Sequence, residues 1–397
     1  MIYDIIIVWA GAAWLFAWIN LPKDSKKLIL EKNDKPWIKV LLSWWERANV
    51  SNMNIEPERD YFTQNKKSLL SVFKKYNQWD IMSFFAENWV NIVEEDRSRL
   101  ILESGDSKEL LELLLRLVKE NNCEIRCKQD VKKIIPLFQP FPPREKGVDQ
   151  DVVSSLSSVE DERGIYEIIL ENWTKYQAKN IIVSTWWKSF FQVWTTWEWY
   201  NFAENLWIKV ITPYRTLCWM STKKDLSEVS WVSCNLKMTL IDWKSKKSIY
   251  YEEWPILFTH FWISWPIIHN VSNAIWEYLN KIWLEENDFE KYILDNLSLN
   301  LIFDLEKTPK RLIKFFEINE ELNEANLELQ NWRSWKEAKA TWWWIDMNEL
   351  NKNMQSKKYR WLYFIWEVVD VTGKTGWFNL QWAWSSAFVC SEKFKNK

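Results

Sequence analysis

Ile2-Tyr3-Asp4-Ile5-Ile6-Ile7-Val8-Trp9-Ala10-Gly11-Ala12-Ala13-Trp14-Leu15-Phe16-Ala17 opens as a continuous apolar run, breaks at Trp9 and resumes as a helix-compatible pattern through Ile19. A short run of isoleucine and valine reads as a strand buried on both faces, so Ile2 to Val8 is expected to be an interior strand leading straight into a helix. The break between them has a definite chemistry if Trp9 and Trp14 stand at glycine positions, because it then becomes Gly-x-Gly-x-x-Gly. The first glycine makes the tight strand-to-helix turn, the second lets the backbone approach a pyrophosphate, and the third allows close helix–strand packing. As tryptophan, two of those three positions lose that use. Working outward, Lys27 to Leu30 reads as a second strand and ends at Glu31, about twenty residues on, where a carboxylate accepts hydrogen bonds from ribose hydroxyls. Near the far end, Leu362-Tyr363-Phe364-Ile365 reads as a strand leading into Trp366-Glu367. Asp370, Gly373 and Gly376-Trp377-Phe378-Asn379-Leu380 follow at the head of a helix.

The composition bears on those tryptophans. Glycine occurs 6 times in 397 residues and tryptophan 33 times, where average usage would give about 28 glycines. The tryptophans sit where glycine is needed. Asn172-Trp173 and Asp242-Trp243 separate β-rich runs where a tight hairpin wants Asn-Gly or Asp-Gly. Asn88-Trp89 and Asn205-Leu206-Trp207 end helical patterns where a left-handed glycine normally stops the helix. Trp44-Trp45, Trp186-Trp187 and Trp342-Trp343-Trp344 would be tight phosphate-contacting turns as glycine. The expectation is a gene whose code reads UGA as glycine, translated here with UGA as tryptophan. Trp382 and Trp384, inside a helix-compatible stretch, read as genuine. The competing reading is an authentic tryptophan-rich protein that stacks sugars or single-stranded bases, which requires exposed strand or groove positions instead of turns and helix ends.

Charged residues make up 27% of the chain and the formal net charge is -2, so no broad basic field draws nucleic acid or an anionic membrane. No apolar run reaches the length of a membrane span, and Met1 to Val8 lacks the basic region of a secretory signal, so a cytoplasmic protein is expected. Cys123, Cys127, Cys218, Cys234 and Cys390 show no metal-type spacing and are expected to be free thiols, with no metal site. There is no internal repeat.

With glycine restored, the chain resembles the BaiN-like family of bacterial NAD(P)/FAD-dependent oxidoreductases, also described as aminoacetone-oxidase-like flavoproteins. The resemblance runs nearly end to end. It is carried by Val8 to Trp14, Ser43 to Asn52, Ser184-Thr185-Trp186-Trp187-Lys188-Ser189, Thr195 to Tyr200, Phe258 to Pro266 and Trp366 through Ser386. Glu46 and Ala48 replace a glycine and a cysteine usual in the second stretch, so no role rests on that cysteine. The resemblance implies an α/β fold, a Rossmann-type FAD-binding domain of two sequence segments (residues 1–193 and 341–397) with an inserted β-barrel plus helical substrate domain (194–340). Residues 208–270 are expected to be β-rich and 271–335 helical. Residues 138–164, rich in Pro, Ser, Asp and Glu, read as a mobile insertion. The same resemblance places FAD against Trp9, Gly11, Ala12, Ala13, Trp14, Glu31, Lys32, Trp45, Arg47, Asn49, Val131, Thr185, Trp186, Trp366, Glu367, Asp370, Trp377, Phe378, Asn379 and Leu380. The helix opening at Gly376 would point its positive end at the flavin.

The implied reaction is hydride transfer through the flavin to or from a small organic substrate, with NAD(P)H or oxygen as the other partner and no nucleic acid expected. Only one glycine fingerprint is present, so no separate nicotinamide site is assigned. His260, in a family-like stretch, is the candidate acid/base, the alternative being a histidine that only hydrogen-bonds a hinge. His269 reads as packing and Lys188 as a neighbour of a phosphate turn. The charge alternation of Glu317 to Glu328 and of Lys307 to Lys314 reads as a solvated helix face. A rival reading is a flavoprotein of tRNA modification, which calls for a basic RNA-facing surface and catalytic cysteines. The third is a non-catalytic aromatic-rich binding module. Made literally as written, the chain is expected neither to bind FAD nor to fold well.

Overall fold

The computed structural model describes residues 1–9, 11–34, 48–138, 164–184, 203, 206–211, 214–334, 337–338, 340–342 and 345–395. Trp44, Trp45, Arg47, Thr185, Trp186, Trp187, Lys188, Trp343, Trp344, residues 195–200 and residues 139–163 of the expected insertion lie outside them. The chain divides into two compact units, one from Met1–Trp187, Thr195–Thr212 and Trp343–Lys397, the other chiefly from Pro213–Trp342.

In chain order the strands of the first unit are β1 (Ile2–Val8), β2 (Lys27–Leu30), β3 (Asn49–Asn52), β4 (Tyr61–Phe62), β5 (Ile92–Glu95), β6 (Arg99–Leu102), β7 (Ile125–Arg126), β8 (Val131–Pro136), β9 (Tyr166–Leu170) and β10 (Lys175–Val183). The second unit holds β11 (Tyr214–Thr216), β12 (Met220–Thr222), β13 (Val232–Asp242), β14 (Lys247–Phe258), β15 (Trp262–Ser264), β16 (Leu297–Phe303), β17 (Glu324–Trp332) and β18 (Ala340–Trp342). The chain then returns to the first unit with β19 (Leu362–Phe364), β20 (Thr372–Gly373) and a helix over Gly376–Lys395.

β1 is the centre of a parallel sheet, flanked by β2 and β10, with β7 beyond β2 and β19 beside the last residues of β10. Strands covered on both faces need apolar residues at successive positions. Ile5 to Val8, Leu28 to Leu30 and Ile181 to Val183 supply them and are all buried. The first half of β10 turns back as a hairpin with β9, which pairs antiparallel with β8. Helix α1 (Ala12–Asn20) follows β1 and packs on the C-terminal helix, with Phe16 against Trp384 at 5.4 Å and Ser391 Oγ donating to Ala17 O at 3.0 Å.

The second unit is a closed antiparallel barrel in the order β12-β15-β14-β13-β16-β17. Here the sequence reading needs correction. Residues 271–335 are not helical throughout: after helices Pro266–Lys281 and Phe289–Asn296 come β16, a helix over Lys310–Phe316, and β17. The charges of Glu317 to Glu328 therefore do not decorate a helix. Glu317 ends one in the left-handed region, and from Glu324 the pattern has period two, with Leu327 and Leu329 buried and Glu328 exposed between them. Among the described residues no helix is long and apolar enough to cross a membrane.

Several turns adopt the left-handed backbone. Helix ends at Trp89 and Trp283 have φ of 62° and 57°, and the turn at Trp207 has 53°. Each carries the long cap bond: Val90 N to Phe85 O at 3.0 Å, Ile208 N to Ala203 O at 3.1 Å and Leu284 N to Leu279 O at 3.2 Å. In the β9–β10 hairpin Trp173 has φ 65°, whereas in the β13–β14 hairpin the left-handed residue is Lys246 and not Trp243. A β-carbon makes this conformation cost about 1 kcal/mol per residue.

Lys27 opens β2 almost fully buried at 3% exposure. Its Nζ donates to Pro22 O at 2.7 Å and Asn121 Oδ1 at 2.8 Å, over the ring of Trp18. Burial lowers its pKa from 10.5 to about 8, against the opposing pull of Cys123 and Asp24. Between those values the unfolded chain holds a proton that the folded chain has released, so this group makes stability rise with pH from about 8 to 10.5 and withdraws that contribution below about 8. Thermal melts at pH 8 and pH 10 are expected to show this rise in the unsubstituted protein and a smaller one in Lys27→Met.

Candidate functional site

Register brings the carboxyl ends of the parallel strands to one level. Val8 lies opposite both Leu30 and Val183, Leu30 opposite Arg126, and Val183 opposite Phe364. The first residues past these ends form one edge. Trp9 N donates to Leu30 O at 2.8 Å, Glu31 N to Arg126 O at 2.9 Å, Ser184 N to Val8 O at 3.2 Å and Ile365 N to Val183 O at 3.1 Å. This edge is where an open parallel sheet accepts ligands. Gly11 caps α1 there, and Ala12, Ala13 and Trp14 fill its buried first turn. The free N–H groups of such a helix start favour an anion.

The acidic and polar groups at this edge suit a nucleotide. Glu31 is 3% exposed and its Oε1 accepts from Asn33 N and Nδ2, both at 2.8 Å. Lys32 pairs with Asp130 at 2.9 Å, immediately before Val131, itself buried at the start of β8. Asp130 Oδ1, Ser184 Oγ and Asn49 Oδ1 are buried without a hydrogen-bond partner among the described residues. An orphaned buried polar atom implies a missing partner; a ribose hydroxyl, which donates, fits the two acceptors, and Ser184 Oγ can donate to a ribose or a phosphate oxygen. Ser184 and Asp130 were not singled out from the sequence as contacts; the only local signal for Ser184 is the end of an apolar run, as at Val8. Trp9 does not fit the same reading. Its φ is 70°, its indole is 4% exposed, and Lys32 Nζ lies 5.6 Å from the ring, so a side chain stands where a pyrophosphate needs bare backbone.

The C-terminal segment reaches the same edge through β19. Trp366, at φ 65°, donates its N–H to Ser386 Oγ at 3.1 Å and accepts at its carbonyl from Trp382 Nε1 at 3.2 Å. Glu367 follows it in a short 3-10 turn. Asp370 is fully buried, and its carboxylate accepts from Gln64 N at 3.2 Å and, at 3.5 Å, from Thr63 Oγ1, a role in joining segments. Asn379 Oδ1 accepts from Gly373 N at 2.9 Å, fixing the start of the C-terminal helix. Phe378 and Leu380 are buried there, and the guanidinium of Arg99 lies 5.6 Å from the ring of Trp377. Asn49 opens β3, which packs on this helix through Trp384 Nε1 to Val50 O at 3.0 Å. His260 belongs to the barrel unit, exposed on the β14–β15 turn between the rings of Trp231 and Trp262. His269 is half-buried on the helix Pro266–Lys281.

A family model described as the HI0933-like protein Rossmann domain matches residues 3–139 and 142–393. The chain belongs to this family. It has the Rossmann-type, FAD-binding-domain fold that the sequence resemblance implies. Two relatives carry the name ribosomal RNA dihydrouridine synthase. The one from Haemophilus influenzae is 26% identical over 97% of this chain and 97% of its own length, and the one from Escherichia coli K12 is 24% identical over 98% and 97%. Similar solved structures include a 3-ketosteroid dehydrogenase from Rhodococcus jostii (TM-score 0.49, 7% identity, 98% of this chain and 96% of that one). Another is a flavocytochrome c3 fumarate reductase (TM-score 0.42, 9% identity, 98% and 78%).

The closeness of β20 to the C-terminal helix tests this edge of the family domain. A β-carbon on Gly373 would stand 2.4 Å from that of Phe378. Gly373→Ala is expected to lower stability by about 1–3 kcal/mol, read as a fall in the midpoint of thermal or urea unfolding.

Proposed function

We propose that this protein is an FAD-dependent reductase that converts a uridine of ribosomal RNA to dihydrouridine, with NAD(P)H as the electron source. The observation that carries the cofactor half is the alignment of Glu31, Ser184 and the start of α1 at the carboxyl edge of the parallel sheet. The RNA half is supported by the name shared by two relatives that align over nearly the whole of both chains. FAD bound at this edge would supply hydride to the substrate.

The chemistry narrows the partners. Saturating the base adds one hydride and one proton across a carbon–carbon double bond, so the other partner must be a reductant. NAD(P)H meets that need and oxygen does not. Glu31 would hold the adenosine ribose, the N-terminus of α1 the pyrophosphate where position 9 carries no indole, and the C-terminal helix would direct its positive end toward the flavin. His260, exposed on the β14–β15 turn, is the group assigned to deliver the proton. The net charge of -2 describes the whole chain and does not prevent a local RNA contact. The place of action is the cytoplasm.

The test is to incubate the protein with unmodified ribosomal RNA, FAD and NADH or NADPH, and to read the RNA by mass spectrometry. A gain of two hydrogens at a uridine is the expected result. NAD(P)H oxidation driven by a small organic acceptor, with no change in the RNA, would favour the small-molecule reading instead. In the same preparation Glu31→Gln is expected to weaken FAD binding about tenfold, since hydrogen bonds to a charged group contribute about 1.5 kcal/mol or more. Titration of flavin fluorescence measures it.

A further inference from the structure

Of the seventeen residues other than glycine with positive φ among the described residues, nine are tryptophan: Trp9, Trp89, Trp173, Trp207, Trp231, Trp265, Trp283, Trp361 and Trp366. Tryptophan has no local hydrogen bond to offer in exchange for the left-handed backbone, as asparagine and aspartate have. Packing does not compensate at most of these positions. Trp89 is 95% exposed, Trp283 91%, Trp207 81%, Trp173 78% and Trp231 68%. Trp265 is more restrictive still, because φ 89° with ψ 164° falls in a region populated essentially by glycine alone.

The functions of these positions are glycine functions. Trp89 and Trp283 stand at the left-handed residue after a helix end, with the cap bonds that glycine makes there, and Trp207 carries the same bond pattern, Ile208 N to Ala203 O. Trp173 follows Asn172 in a hairpin, and Trp9 is the turn at the cofactor edge. Tryptophans with another geometry exist in the same chain. Trp382 and Trp384 lie inside the C-terminal helix, fully buried, each with its indole N–H bonded to a backbone carbonyl.

We infer that the natural protein carries glycine at these nine positions, that their codon is UGA, and that the cell making it reads UGA as glycine, while Trp382 and Trp384 are true tryptophans encoded by UGG. One reassigned codon explains both the glycine deficit and the tryptophan excess. It also removes the indole of Trp9 from the cofactor edge.

The experiment is to read the eleven codons in the source gene and the peptide masses of the native protein. Expected are UGA with glycine masses at the nine positions and UGG with tryptophan masses at 382 and 384. UGG and tryptophan at Trp89, Trp173, Trp207 and Trp283 would overturn the inference, whatever the flavin content or activity of the protein. A second measurement needs no native source. In the chain as written, the combined exchange W89G/W173G/W207G/W231G/W283G is expected to raise the thermal midpoint, and W384G to lower it. A fall with both would count against the inference.

Discussion

The register of β1 between β2 and β10 is the constraint on which the first unit depends. Because Val8 is opposite Leu30 on one side and Val183 on the other, three strands end at the same level, and the residue after each end enters the same edge. A shift of one residue would turn Glu31 and Ser184 to the other face and separate the groups that suit a nucleotide. β19 extends the arrangement: its pairing with the last three residues of β10 returns the chain from the barrel unit and sets Trp366 beside the same edge. Within one seven-stranded sheet β10 thereby pairs antiparallel with β9 through its first half and parallel with β1 along its length.

The C-terminal helix holds that arrangement in place by bonds as well as burial. Its side chains reach three other segments: Trp382 and Ser386 bind Trp366, Trp384 and Gln381 bind Val50 and Ser51, and Ser391 binds Ala17. Buried polar groups are tolerated when each finds a partner, and here each partner lies on a segment distant in sequence. The helix is covered on nearly every side, so glutamine and serines share its interior with Trp382 and Trp384.

Local signals were legible in the sequence and remote ones were not. The β1–α1–β2 succession, Glu31 at its end, the Asn172-Trp173 hairpin and the helix stop at Trp89 all follow from residues within one turn of each other. The strand nature of Glu324–Trp332 was missed because glutamates and lysines near it imitate a solvated helix; only the alternation of Leu327 and Leu329 with Glu328 betrays period two. Asp130 and Ser184 were missed for a different reason. Ser184 heads a family-like stretch but reaches the edge through pairing of β10 with β1, 175 residues away, and Asp130 reaches it beside β8, which pairs with β9. The carboxylate of Asp370 accepts from Gln64 and Thr63, contacts that no spacing in the sequence could disclose.

The two units differ in where polar chemistry can be placed. A closed barrel has no free strand edge, and polar groups near its strand ends can be satisfied internally or sit on loops. Asp242, at the end of β13, shows the first outcome. Burial raises its pKa, but donation from Tyr278 at 2.5 Å, Ser245 at 2.7 Å, Tyr292 at 3.0 Å and Lys244 N outweighs burial and leaves the carboxyl below its ordinary value. Two helices are tied to the hairpin through that single carboxylate, which makes it a structural charge. The β14–β15 turn shows the second outcome, with the His260 side chain exposed on it. In the sheet unit Ser184 Oγ and Asp130 Oδ1, just past strand ends at the open carboxyl edge, keep unmet hydrogen-bonding capacity among the described residues.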